Sequence, residues 1–214
     1  MDANQETREN PFGMDEECPN CPALVESRSQ VVHGYGDVGA DFLFVGERPG
    51  PGADEIGVPF PGGEDGDERG EKLQSILRRL GLLVADSDPE RPEIVNAFVT
   101  NLTRCRHPDR APTDEEISTC EPYLNAEIRM INPEILVPIG ERALAELGEE
   151  YTTTPASDLD IVADHGRAIR GRGFELVPMV DPADQSDDRT QEWVEEFSAL
   201  MAGDYRQTKG RRSR

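Results

Sequence analysis

Asp41-Phe42-Leu43-Phe44-Val45-Gly46 runs directly into Glu47-Arg48-Pro49-Gly50-Pro51-Gly52, and this junction decides the fold. A short apolar run bounded by turn residues predicts a buried strand, and the glycine- and proline-rich stretch behind it predicts a loop. The alternation recurs downstream. After a second loop, Gly57 to Gly66, the segment Glu68–Leu80 sets Leu73, Ile76, Leu77 and Leu80 on one helical face, and Gly81 stops it. Ile94–Thr100 reads as a strand. Thr113 and Glu116 form a capping box opening a helix in which Ile117, Cys120, Leu124 and Ile128 recur at three- and four-residue spacing, and Pro133 ends it. Glu134–Ile139 reads as a strand, Glu141–Leu147 as a short helix, Ile161–Ala163 and Phe174–Val177 as short strands, and Asp188–Met201 as an amphipathic helix. Strands alternating with helices predict an α/β fold, a three-layer sandwich around a central, largely parallel four-stranded sheet. In such a fold a site belongs in the strand-end loops, here 46–66, 101–112 and 178–187.

The chain of 214 residues predicts one folded domain over residues 18–202, a disordered N-terminal segment over 1–17, and a flexible basic tail over 203–214 carrying Arg206, Lys209, Arg211, Arg212 and Arg214. The formal net charge is -22, from 44 Asp and Glu against 22 Lys and Arg. Such a surface repels nucleic acid at low salt. Its plainer meaning is adaptation to a salty cytoplasm, where the Debye length shrinks to about 3 Å at 1 M. Contact with DNA then falls to a local basic patch, uncharged loops or helix ends. No run approaches the roughly 18 apolar residues of a membrane span. Residues 1–17 hold no apolar run of a secretory signal, so a cytoplasmic monomer with no membrane partner is expected.

Four cysteines stand out. Cys18 and Cys21 form a C-x2-C hook, while Cys105 and Cys120 lie far downstream. Four thiolates suit one iron–sulfur cluster or one tetrahedral zinc; two disulfides, or unliganded buried thiols, are the other readings.

The loop Gly46–Gly52 matches neither the dinucleotide nor the Walker pattern, which disfavours a nucleotide cofactor. Its glycines permit close backbone approach to a ligand, and Glu47 sets a carboxylate at the strand end. Phe60, held in Val58-Pro59-Phe60-Pro61-Gly62-Gly63, offers a ring that can stack on a planar ligand. Asn101 follows a strand and can present donor and acceptor together to a base edge. A surface acid, a packed loop ring and a turn-capping amide are the plainer readings of these three.

Gly46-Glu47-Arg48-Pro49-Gly50, Gly57-Val58-Pro59-Phe60, Thr100-Asn101-Leu102-Thr103-Arg104-Cys105-Arg106 and Cys120 with Pro122-Tyr123-Leu124 together resemble the uracil-DNA glycosylases of family 4, the thermophile-type enzymes with a [4Fe-4S] cluster. The resemblance runs from about Cys18 to Met201. It implies a fold that accepts a uracil or other damaged base flipped out of DNA and hydrolyses its bond to deoxyribose, as in base excision repair. It implies Glu47 beside the sugar and attacking water, Gly46 and Phe60 against the base, Asn101 reading its edge, and Cys18, Cys21, Cys105 and Cys120 as cluster ligands. The last motif departs. Where the family carries a histidine that donates to uracil O2, this chain has Asp181, in Pro178-Met179-Val180-Asp181-Pro182. An ionised carboxylate cannot donate and repels a departing anion. Asp181 therefore leaves two other expectations standing, a silent DNA- or damage-binding module and a purely structural domain. Arg48, where the family has a small residue, is a second departure.

Overall fold

The computed structural model describes residue 5 and residues 7–205. Six strands form one sheet in the order β1-β3-β2-β4-β6-β5: β1 Tyr35–Gly36, β2 Phe42–Gly46, β3 Ala97–Asn101, β4 Ile135–Pro138, β5 Ile169–Arg170 and β6 Glu175–Leu176. The sheet is mixed. β3, β2, β4 and β6 run parallel, while β1 and β5 pair antiparallel at the two edges. This corrects the expected four-stranded, largely parallel sheet, because two-residue edge strands are too short to carry a period-two pattern in sequence.

The inner strands are buried on both faces, and their side chains alternate accordingly. Phe42, Phe44, Val99 and Val137 face one way, into a core with Leu73, Ile76 and Leu77 of α3 (Glu68–Arg79) and Trp193 and Phe197 of α6 (Asp187–Ala202). Leu43, Val45, Phe98 and Leu136 face the other, against Ile117, Leu124 and Ile128 of α4 (Asp114–Ile131) and Ala143 and Leu147 of α5 (Glu141–Tyr151). Among the described residues there are also two short helices, α1 (Pro22–Ser27) behind the cysteine hook and α2 (Pro51–Ile56) behind the first strand loop. The capping box of Thr113 and Glu116 opens α4, and Asn132 closes it in a left-handed conformation before Pro133.

Ile161–Ala163 is a turn rather than a strand, since the Asp160 carboxylate accepts from the backbone N–H groups of Val162 and Ala163 at 2.9 and 2.8 Å. In the segment 1–17, Glu9 bridges Tyr35 and the Asn10 N–H donates to the Gly34 carbonyl at 3.2 Å; residues 1–4 and 6 lie outside the described residues. The basic tail lies outside them from residue 206 onward. Among the described residues no helix is long and apolar enough to cross a membrane.

The connection leaving β2 runs to α3 on one face and that leaving β4 runs to α5 on the other. Adjacent strands whose connections part in this way open a crevice at their carboxyl ends.

Candidate functional site

Gly46 ends β2 and Asn101 ends β3, and the two are register partners. A Cβ at Gly46 would stand 2.6 Å from Asn101 Oδ1, 2.6 Å from Phe60 Cζ and 3.0 Å from Arg69 Nη2. The ends of two strands, a loop and the first turn of α3 thus meet at one point, and only glycine leaves room there. Asn101 is 1% exposed, and its Oδ1 is buried with no hydrogen-bond partner. A buried amide oxygen without a donor is costly, unless a ligand supplies one.

Phe60 has a left-handed backbone, φ 55, which costs about 1–3 kcal/mol for a residue other than glycine and is held by its surroundings. The Gln74 side chain does part of the holding, with Nε2 donating to the Phe60 and Pro89 carbonyls at 3.1 and 2.7 Å. Glu47, half-buried, follows Gly46; its carbonyl accepts from Thr103 N–H at 3.2 Å, which ties the first loop to the one after β3. That second loop is anchored from beneath by an ion pair between Arg104 Nη2 and Glu127 Oε2 at 2.7 Å, both side chains 1% exposed. Glu127 Oε1 also accepts from Gly34 N–H at 3.0 Å, and Arg104 reaches the Thr100 hydroxyl.

Asp181 lies across the crevice, at the cap of a short 3-10 turn over 182–184, where it accepts from Ala183 N–H at 3.1 Å. Its other oxygen is 2.7 Å from Arg69 Nε, an ion pair in which the N–H is not aligned for a hydrogen bond. The Arg69 guanidinium lies 4.7 Å from the Phe60 ring centroid, and its Nη1 donates to the Arg48 carbonyl at 3.2 Å. Nothing in the sequence reading anticipated Arg69, although one signal was there. It sits in the first turn of α3, where the helix dipole favours acids.

Arg48 does not enter this cradle from its side chain; its guanidinium donates to the carbonyls of His107, at 3.2 Å, and Arg110. His165 is likewise occupied. Its Nδ1 accepts from Val180 N–H at 3.0 Å and its Nε2 faces the Arg189 carbonyl at 3.2 Å, so the neutral ring clamps the backbone beside Asp181. Burial lowers its pKa below the ordinary value.

The pattern describing the uracil DNA glycosylase superfamily matches residues 33–202. The chain belongs to this superfamily. It is 34% identical over 142 residues to the type-4 uracil-DNA glycosylase of Sulfurisphaera tokodaii, covering 64% of this chain and 57% of that protein. It is 36% identical over 129 residues to the type-4 uracil-DNA glycosylase of Thermotoga maritima, covering 60% of this chain and 59% of that protein. The type-5 uracil-DNA glycosylase of Mycobacterium tuberculosis is 29% identical over 180 residues, 72% of this chain and 66% of that one. The chain thus spans under two thirds of the type-4 relatives' own length in these matches.

The superfamily assignment does not carry the [4Fe-4S] cluster with it, and here the expectation from Cys18, Cys21, Cys105 and Cys120 is corrected. All four are free thiols, and among the described residues no group of three or more His, Cys, Asp or Glu is arranged to hold a metal ion. Cys18 and Cys105 instead pack with Leu24 and Val31. Arg28 Nη1 donates to Cys105 Sγ at 3.1 Å, and Tyr123 packs against the same cluster. Burial pushes the Cys21 and Cys120 thiols up and that of Cys105 to about 11.

Proposed function

We propose that this superfamily member hydrolyses the N-glycosidic bond between deoxyribose and uracil extruded from DNA. The observation that carries the reading is the cradle at Gly46, where a buried amide oxygen without a donor and an aromatic ring meet a backbone lacking a Cβ. Uracil fits the unmet need: its N3–H supplies the donor that Asn101 Oδ1 lacks, while the amide nitrogen can donate to O4. Cytosine offers a lone pair at N3 and an amino group beside it, reversing both contacts, and a site built to hydrogen-bond one pattern rejects the other. Phe60 lends a face for stacking.

Glu47, at the carboxyl end of β2 beside the cradle, is the group to orient water towards C1′. The water oxygen bonds to C1′ as the C1′–N1 bond breaks, the electron pair departs with the base, and the proton of the water passes to the Glu47 carboxylate. Asp181 cannot serve as donor to the base when ionised. In this reading it acts through the guanidinium it faces, as a positioning residue.

DNA reaches the site against a surface of formal charge -22, so the contacts fall to uncharged loops and helix ends. Extruding a base costs a few kcal/mol, least in single strands and mismatches. The test is a panel of single-stranded oligonucleotides carrying uracil, hypoxanthine, cytosine or thymine, incubated in molar KCl with the unsubstituted chain and with Glu47→Ala. Release of uracil over cytosine and thymine, lowered at least about 100-fold by the substitution, is expected. Binding without release of any base would overturn the reading in favour of a damage-binding module.

A further inference from the structure

We propose that the Arg69 guanidinium takes up the negative charge left on the departing base, with Asp181 as the residue that aims it; the inference rests on the reading of the Gly46 cradle as a uracil site. Arg69 is held on three sides. Its Nε lies 2.7 Å from Asp181 Oδ2, its Nη1 donates to the Arg48 carbonyl at 3.2 Å, and its plane lies over the Phe60 ring at 4.7 Å. Asp181 is itself fixed by the Ala183 N–H at 3.1 Å, so the pair cannot swing freely. What remains is Nη2, which comes within 3.0 Å of the point where a Gly46 Cβ would stand and where Asn101 Oδ1 and Phe60 Cζ also converge.

This placement runs against local helix energetics. A cation in the first turn of α3 opposes the helix dipole by about 0.3–1 kcal/mol, while the neighbouring Glu68 and Glu71 follow the rule. The side chain is only 16% exposed, so it also gives up water. The Asp181 ion pair, the Arg48 carbonyl and the Phe60 ring offset these costs and leave Nη2 at the cradle, where a cation can meet a charge that arrives later.

The other candidates for that task are engaged elsewhere. His165 uses both ring nitrogens on backbone groups, and the Arg48 guanidinium is bound to the carbonyls of His107 and Arg110. As the C1′–N1 bond breaks, its electron pair spreads from N1 onto O2. A guanidinium hydrogen bond to O2 stabilises that charge without giving up a proton, because arginine stays charged at any working pH. The base therefore leaves as an anion and takes its proton from solvent.

The experiment compares single-turnover release of uracil and 5-fluorouracil from single-stranded oligonucleotides in molar KCl by the unsubstituted chain, Arg69→Ala, Arg69→Lys and Asp181→Asn. Fluorine withdraws electrons and already stabilises the departing ring. Arg69→Ala should slow uracil release about 100-fold, the usual loss of one preorganised donor, and 5-fluorouracil release by less than about tenfold. Arg69→Lys keeps the charge without the fork and should fall between, with the same ordering of the two bases; it carries the test if the alanine variant fails to fold. Asp181→Asn should lower kcat with little change in KM. For the unsubstituted chain, release should not fall on the alkaline side through loss of a protonated donor between about pH 6 and 9, as it would with a histidine. Equal losses on both bases, or faster release by Arg69→Ala because the guanidinium merely blocks Phe60, would overturn the proposal while leaving the function standing. No release of either base by the unsubstituted chain would overturn both.

Discussion

Gly46 and Asn101 are register partners at the carboxyl ends of β2 and β3, and Asn101 Oδ1 lies 2.6 Å from where a Gly46 Cβ would stand. Residues 55 positions apart in the chain therefore form the two sides of one cradle, because parallel pairing aligns the ends of the strands. Bare backbone on one side and an unmet acceptor on the other suit a flat, hydrogen-bonding ring.

Asn101→Ala should lower single-turnover uracil release by at least about tenfold, or about 1.4 kcal/mol of transition-state stabilisation. Removing the amide also removes a buried acceptor that nothing in the fold satisfies, so the unfolding midpoint should hold or rise while release falls. A fall in both together would assign Asn101 to folding.

Arg104→Ala should destabilise the chain by about 3–5 kcal/mol, since it leaves the Glu127 carboxylate buried and unpaired. Replacing both partners with apolar residues of similar volume should recover much of that loss. Urea unfolding in molar KCl measures each, and equal stability of the single variant would mean the pair contributes little.

The Glu116 carboxyl is held down at about 2, chiefly by the Arg110 guanidinium, which bonds both its oxygens at 2.7 Å, with the Thr113 N–H at 2.9 Å assisting. A depressed carboxyl contributes stability above its unfolded value, near 4.5, and loses it as pH falls towards about 2. The stability gap between the unsubstituted chain and Glu116→Gln should accordingly close across that window. A gap that stays constant from pH 5 to about pH 2 would contradict the assignment.

His165 titrates with the same sign for a different reason. Burial, first among its causes, lowers it below 6.5; the hydrogen bond to the Arg189 carbonyl and the Glu192 charge oppose the shift, and the Arg189 charge adds to it. Its stabilising contribution is full above 6.5 and is lost as pH falls below that value, when protonation at Nδ1 ends its acceptance of the Val180 N–H. His165→Asn keeps an acceptor near the Nδ1 position and removes the titration. Thermal unfolding between pH 7 and about pH 5 should be flatter for the variant, and parallel curves would reject the clamp.

The three layers were legible because β2, β3 and β4 are continuous apolar runs and α4 opens on a capping box, signals that need no tertiary information. The edge strands were not, since Tyr35–Gly36 and Ile169–Arg170 become strands only by pairing with longer neighbours. Gly46, Phe60 and Asn101 could be singled out from strand-end position and residue type. Their meeting with Arg69 could not, because it depends on how the first turn of α3 sits against the turn at Asp181, a distance of 112 residues along the chain. That pairing changes the meaning of Asp181, from a misplaced donor to the anchor of a cation. The cysteines erred the other way: their count and spacing suggested a ligand set, while the folded chain uses them among Leu24, Val31, Arg28 and Tyr123.

The most direct measurement is uracil release over time from a single-stranded oligonucleotide in molar KCl, by the unsubstituted chain and by Gly46→Ala. The added methyl falls on Asn101 Oδ1 and Phe60 Cζ, each 2.6 Å away, so the amide and the ring assigned to the base must shift. The cradle account predicts release by the unsubstituted chain and a loss of at least about 100-fold in the variant, measured where both chains remain folded because the overpacking lowers the unfolding midpoint. Equal release by the two chains, or none by the unsubstituted one, would contradict it.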